Sequence, residues 1–167
     1  VLSQMIAELW QMKQRIEDEV VKAGELERNV KLGYGGIREI EFVVQTLQLL
    51  NAGRVPFLQS AQTLPTLNKL VQYNLLQRAQ AEALREAYCF LRDVEHRLQM
   101  ENNLQTHTIP TERKARMRLA ALMGFPSLAE FETAHRQHTR QVRQIYDKFL
   151  KLDAPATDNV LPPRFEE

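Results

Sequence analysis

Three places in this chain carry residues whose types and spacing could do chemistry. The first is Lys31-Leu32-Gly33-Tyr34-Gly35-Gly36-Ile37-Arg38-Glu39-Ile40-Glu41, a glycine-rich entry into a helix. Three glycines in four positions admit backbone conformations that a side chain would forbid, and they let another chain or a ligand come close. Unpaired N–H groups at the helix start, with the Lys31 ammonium beside them, could hold a phosphate or another anion. The same residues equally suit a tight structural turn. The stretch is not a dinucleotide fingerprint, because Arg38 stands where the third glycine would be and no apolar strand precedes it; nor does it end in the Gly-Lys-Ser/Thr of a phosphate-binding loop.

Glu39 and Glu41 are two apart, so on a helix they point roughly 200° away from each other and cannot both ligate one metal. One of them lies at the edge of the core beside Ile40 and Val44, where an unpaired charge is costly. The second place is Glu95-His96-Arg97, of which at least one must face inward between Val94 and Leu98. Arg97 is the expected partner of Glu41, either in a structural network between two helices or around a general acid or base. The third is the pair His135 and His138, which share a helical face at metal-like spacing but have no third ligand imposed on them, so no metal site is expected. No serine, and not Cys89, sits in a recognisable nucleophile turn. The five aspartates, at 18, 93, 147, 153 and 158, never fall two apart, so no Asp-x-Asp pair is present to hold magnesium. No catalytic residue is therefore expected in this chain itself.

The elements that must position these residues are helical throughout. Leu2, Met5, Ile6, Leu9, Met12, Ile16 and Val20 mark a first helix, with Gly24 as its stop. The acidic run Glu17-Asp18-Glu19 falls late in it, against the helix dipole, and so is solvated or paired outside the element. A polar connector over 25–36 leads to the central helix, whose apolar face Ile40, Val43, Val44, Leu47 and Leu50 ends near Asn51. Phe57 and Leu58 pin the following loop. Thr63 caps the next helix, Pro65 fits its first turn, and Asn74 takes the left-handed position after it. The longest helix spans 78–102 and buries Leu84, Ala87, Tyr88, Leu91, Val94 and Leu98. After a loop at 103–110, Thr111 caps a helix stopped by Gly124, and Ser127 with Glu130 forms a capping box for the last, which buries Leu128, Phe131, Val142, Ile145 and Phe149. These readings give an all-α bundle of about six helices over residues 1–152, with 153–167 as a linker or tail.

Composition bounds the rest. The 167 residues are 44% hydrophobic and 26% charged, enough for one domain with its own core, and 22 basic against 21 acidic residues leave a net charge of +1. No global field argues for nucleic acid. The single Cys89 excludes an internal disulfide and reads as a small core residue in a reducing compartment. With no membrane-spanning run or secretory pattern in view, the expected location is the cytoplasm. Val1 opens in mid-helix, which suggests a piece of something longer.

The central stretch resembles the helical domain that follows each nucleotidyltransferase core in the bifunctional glutamine synthetase adenylyltransferase and adenylyl-removing enzymes. The likeness covers about 12–149. It rests on Lys31-Leu32-Gly-x-Gly-Gly-Ile-Arg-Glu-Ile-Glu-Phe-x-Val-Gln, on Gly53-Arg54, on Phe90-Leu91-Arg92 with Glu95-His96-Arg97-Leu98-Gln99, and on Gln105-Thr106-His107-Thr108-Ile109-Pro110. The last of these is more like the N-terminal, deadenylylating half. The related uridylyltransferase of the same nitrogen pathway shares the domain in a looser form. Departures are Ala52, where a second glycine is common, and Asn74 in place of a glycine. The resemblance implies that Lys31, Gly33, Gly35, Gly36, Glu39 and Glu41 face the nucleotide cleft of a preceding nucleotidyltransferase domain, with Glu95 and Arg97 supporting them. It also implies ATP, ADP, phosphate and magnesium as cofactors of the intact enzyme and none for this chain alone, and glutamine synthetase and a PII-type signalling protein as partners. A rival expectation is a helical module that only docks the regulator or glutamine synthetase. An open, basic-lined glycine turn would favour the first, and a turn buried under the bundle itself the second.

Overall fold

The computed structural model describes residues 24–51, 53–102 and 106–153, together with Gln11, Arg15 and Asp18, each of them helical. The first expected helix, apart from those three residues, and the tail beyond Asp153 lie outside the described residues. Among the described residues five complete α-helices follow one another: α1 (Ile37–Asn51), α2 (Thr63–Gln72), α3 (Arg78–Asn102), α4 (Arg113–Leu122) and α5 (Leu128–Asp153), with a short 3-10 turn at Pro56–Leu58 between α1 and α2. The fold is all-α. Among the described residues the extended backbone pairs only at one antiparallel bridge, Asn29 with Thr108.

Each long helix buries one stripe. On α1 it is Ile37, Ile40, Val43, Val44 and Leu47; on α3, Ala81, Leu84, Ala87, Leu91, Val94 and Leu98; on α5, Phe131, Val142 and Tyr146. Full burial of a leucine or isoleucine among these stabilises the fold by about 1.5–3 kcal/mol. α3 and α5 form the most extensive helix pair, and α1 lies against both. Tyr146, absent from the expected face of α5, is fully buried and sets its ring edge-on to Phe42 at 5.6 Å. Four residues past Val142, Tyr146 lies on the same face of α5, and its ring packs as an apolar body despite the hydroxyl.

Helix ends follow the sequence in part. Asn74 (φ 57°) and Gly124 (φ 79°) take the left-handed stops expected of them, and Ser127 Oγ accepts the Glu130 N–H at 3.2 Å. Thr63 and Thr111 are not caps. Thr63 is already the first residue of α2, and α4 begins two residues past Thr111; Gln62 and Glu112 hold the cap positions in extended conformations with no side-chain cap bond. Phe57 is 73% exposed, so only Leu58 pins the loop, helped by Gln48 Nε2, which donates to the carbonyls of Leu58 (2.6 Å) and Ser60 (2.9 Å). Cys89 is exposed rather than core, because it lies two residues, about 200°, from both Ala87 and Leu91 on the buried stripe.

Candidate functional site

The glycine turn is built into the bundle. Gly33, Gly35 and Gly36 are all buried, and Gly35 has a φ of 66°. A Cβ added to Gly35 would collide with the backbone carbonyl of Thr139 on α5, and one added to Gly33 with the carbonyls of Leu26 and Asn29. The amides are occupied as well. Gly33 N–H donates to Asn29 O, Tyr34 N–H to Leu26 O, Gly36 N–H to Gly33 O, Ile37 N–H to Val30 O and Arg38 N–H to Lys31 O. The Asn29 side-chain oxygen accepts from Lys31 and Leu32. The turn is therefore of the kind buried under the bundle, and it leaves no row of free N–H groups to cradle a phosphate.

Glu39 completes that turn. Its carboxylate, on a residue only 5% exposed, accepts the Gly35 N–H at 2.9 Å through Oε2 and the Arg143 guanidinium at 2.5 Å through Oε1. A carboxylate in the first turn of α1 also suits the positive end of the helix dipole. Arg143 lies 4.6 Å over the Tyr34 ring and holds Asp147 through Nε at 3.0 Å. Glu41 points the other way, to Arg38 at 3.3 Å on the surface. The expected Glu41–Arg97 pair does not form. Arg97 Nε donates instead to Leu122 O at 2.8 Å, satisfying a carbonyl at the end of α4. The reason is the 200° offset between Glu39 and Glu41: the carboxylate that faces inward from α1 meets α5, not α3.

The second carboxylate, Glu95, gathers residues from three separate segments. It is 5% exposed, and it lies 2.7 Å from Arg92 Nη1, 2.8 Å from His107 Nδ1 and 3.7 Å from Lys31 Nζ. The His107 contact is close but lacks the alignment of a hydrogen bond. The hydrogen bond to Glu95 pushes the Arg92 pKa up, securing a charge that is permanent in any case. Lys31 and His107 come together because their loops pair: Val30 N–H donates to His107 O, and Ile109 N–H to Arg28 O. Two motifs some seventy positions apart thus form one face. In the sequence His107 and Arg92 stand out only as parts of motifs. The signal that points to them is the inward-facing position among Glu95, His96 and Arg97, where a carboxylate needs cations.

His135 and His138 sit elsewhere, in a cluster of rings between α3 and α5. Phe90 lies 4.7 Å from His138, and Phe131 stacks on His135 at 6.4 Å. Burial, reinforced by the nearby His138 and Arg136, pulls the His135 pKa down to about 4, and burial also lowers that of His138. These are neutral packing groups. Among the described residues no three His, Cys, Asp or Glu side chains are grouped to hold a metal, and no helix is long and apolar enough to cross a membrane.

Fold and site together define a helical bundle domain whose signature residues converge on one partly exposed cationic face anchored by a buried carboxylate. A family model described as GlnD PII-uridylyltransferase matches residues 2–150. The chain belongs to that nucleotidyltransferase-related family.

Proposed function

We propose that this chain is the cleft-completing and regulatory helical domain of an enzyme that adds and removes AMP on glutamine synthetase, and that it belongs to the adenylyl-removing half. The observation that carries the reading is the meeting of Lys31, Arg92, Glu95 and His107 on one half-exposed face, although they come from three distant motifs. Those cations neutralise buried Glu95 and still leave positive charge on the exposed side of the face. In this reading a preceding nucleotidyltransferase core holds magnesium and works with ATP, ADP and phosphate. The present domain supplies positive charge to the open side of that cleft and answers to glutamine synthetase and a PII-type protein in the cytoplasm. Lys31 remains among its nucleotide-facing residues. Gly33, Gly35, Gly36 and Glu39 act by shaping the turn that carries it, and Glu41 by holding Arg38. Alone, the chain is expected to be inactive.

In the enzyme that carries this domain, Lys31→Ala is expected to slow AMP removal at least tenfold, equivalent to about 1.4 kcal/mol of lost transition-state stabilisation. A normal rate in that variant would sink the reading. One observation favours a second: the glycine turn is buried under the bundle with its amides engaged, as a pure protein-docking module would have it. On that reading Lys31→Ala leaves the rate alone and weakens only the association with glutamine synthetase or the PII-type regulator.

A further inference from the structure

The geometry points to a phosphoryl-oxyanion site made from side chains, with Lys31 and Arg92 as its donors, the His107 ring beside them, and buried Glu95 as its anchor. The inference deepens the function proposed above and rests on it only for the source of the phosphoryl group. The charge balance is the first support. Two basic side chains, Lys31 and Arg92, share the single carboxylate of Glu95, which leaves a surplus positive charge where Lys31 is 32% and Arg92 45% exposed.

Donor geometry is the second support. Arg92 spends Nη1 on Glu95 and Nε on the Tyr88 hydroxyl at 3.3 Å. Its other terminal nitrogen makes no hydrogen bond among the described residues. Lys31 Nζ reaches Glu95 only at ion-pair distance, 3.7 Å, so its three N–H groups are open to an acceptor. Glu95, held from both sides, fixes the two donors near one another before any ligand arrives, and such preorganisation is what makes charge-assisted bonds to a phosphate effective. Neither the glycine amides nor a helix end is needed.

Space is the third. Arg92 also lines a groove of about 530 Å³ with Arg38, Glu41, Gln45, Gln62 and Tyr88. That volume falls in the range of small-molecule sites. Lys31 is not part of the groove's lining, so a phosphoryl group reaches the groove through Arg92, with the groove beside that guanidinium for the remainder of a phosphate ester; the ligand is either orthophosphate or the phosphate of a nucleoside monophosphate.

The test is an NMR titration of the 167-residue chain with inorganic phosphate and, separately, with AMP, following the side-chain signals of Lys31 and Arg92. Saturable shifts with at least one probe are expected, weakened at least tenfold by Lys31→Ala and by Arg92→Ala. Arg118→Ala removes a guanidinium that sits on Glu101 and is expected to change nothing. Tighter binding of AMP would assign the site to a nucleotide, and equal binding to free phosphate. No saturable shift with either probe, or binding that survives both alanine changes, overturns the inference. A chain that binds phosphate through Lys31 while AMP removal ignores Lys31→Ala would keep this site and lose the proposed function. A rate that falls without any binding by the chain would do the reverse.

Discussion

Gly35 and Gly124 share a left-handed backbone, at φ 66° and 79°, yet they answer to different demands. Nothing lies within 4 Å of a Cβ placed on Gly124, whereas at Gly35 it meets the Thr139 carbonyl. Gly124→Ala therefore pays only for its backbone conformation, about 1 kcal/mol. Gly35→Val adds a collision between two main chains and is expected to cost about 3 kcal/mol or more. Urea denaturation of both variants checks the contrast, and equal losses would refute it. The two glutamates of α1 divide in the same way. Removing Arg143 takes a charged partner from the buried Glu39 carboxylate, and removing Glu39 takes one from Arg143, so each alanine variant should lose about 2–3 kcal/mol. A double-mutant cycle should show coupling between them of about 1 kcal/mol or more. Glu41→Ala breaks only a surface pair and should lose under about 1 kcal/mol.

Between α3 and α5 the ring cluster makes stability depend on pH. His135 is neutral in the folded chain down to about pH 4, against 6.5 for an ordinary histidine. The unfolded chain therefore takes up a proton over that interval that the folded chain refuses, so stability is full above pH 6.5 and is lost as pH falls toward 4. Over the whole interval the loss from this one residue approaches about 3 kcal/mol. His138, lowered in the same direction, adds to it. Thermal melts from pH 7 to pH 4 should show a steep fall for the native sequence and a shallower one for His135→Phe, which keeps the stack on Phe131 without the ionisable nitrogen. Identical slopes would show that carboxylates elsewhere dominate the acid limb.

Across the whole molecule, the pairing of the 24–36 loop with the 106–110 loop gives the bundle its cationic face. The bridge between Asn29 and Thr108 and the hydrogen bonds beside it bring Lys31 and His107 to the same carboxylate oxygen of Glu95. The sequence by itself determined the helices and most of their buried stripes. Apolar spacing near 3.6 residues depends only on local geometry, and Asn74, Gly124 and Ser127 act within a turn of themselves. It also determined that Glu39 and Glu41 must part, and that one residue among Glu95, His96 and Arg97 must turn inward between Val94 and Leu98. Tertiary structure decided which partners those carboxylates found. Arg143 is 104 positions from Glu39, and no periodicity in either segment records which helices will be neighbours. It decided as well that the glycines serve close backbone packing, because the Thr139 carbonyl that forbids a side chain at Gly35 belongs to a helix brought there only by the packing of α5 on α1.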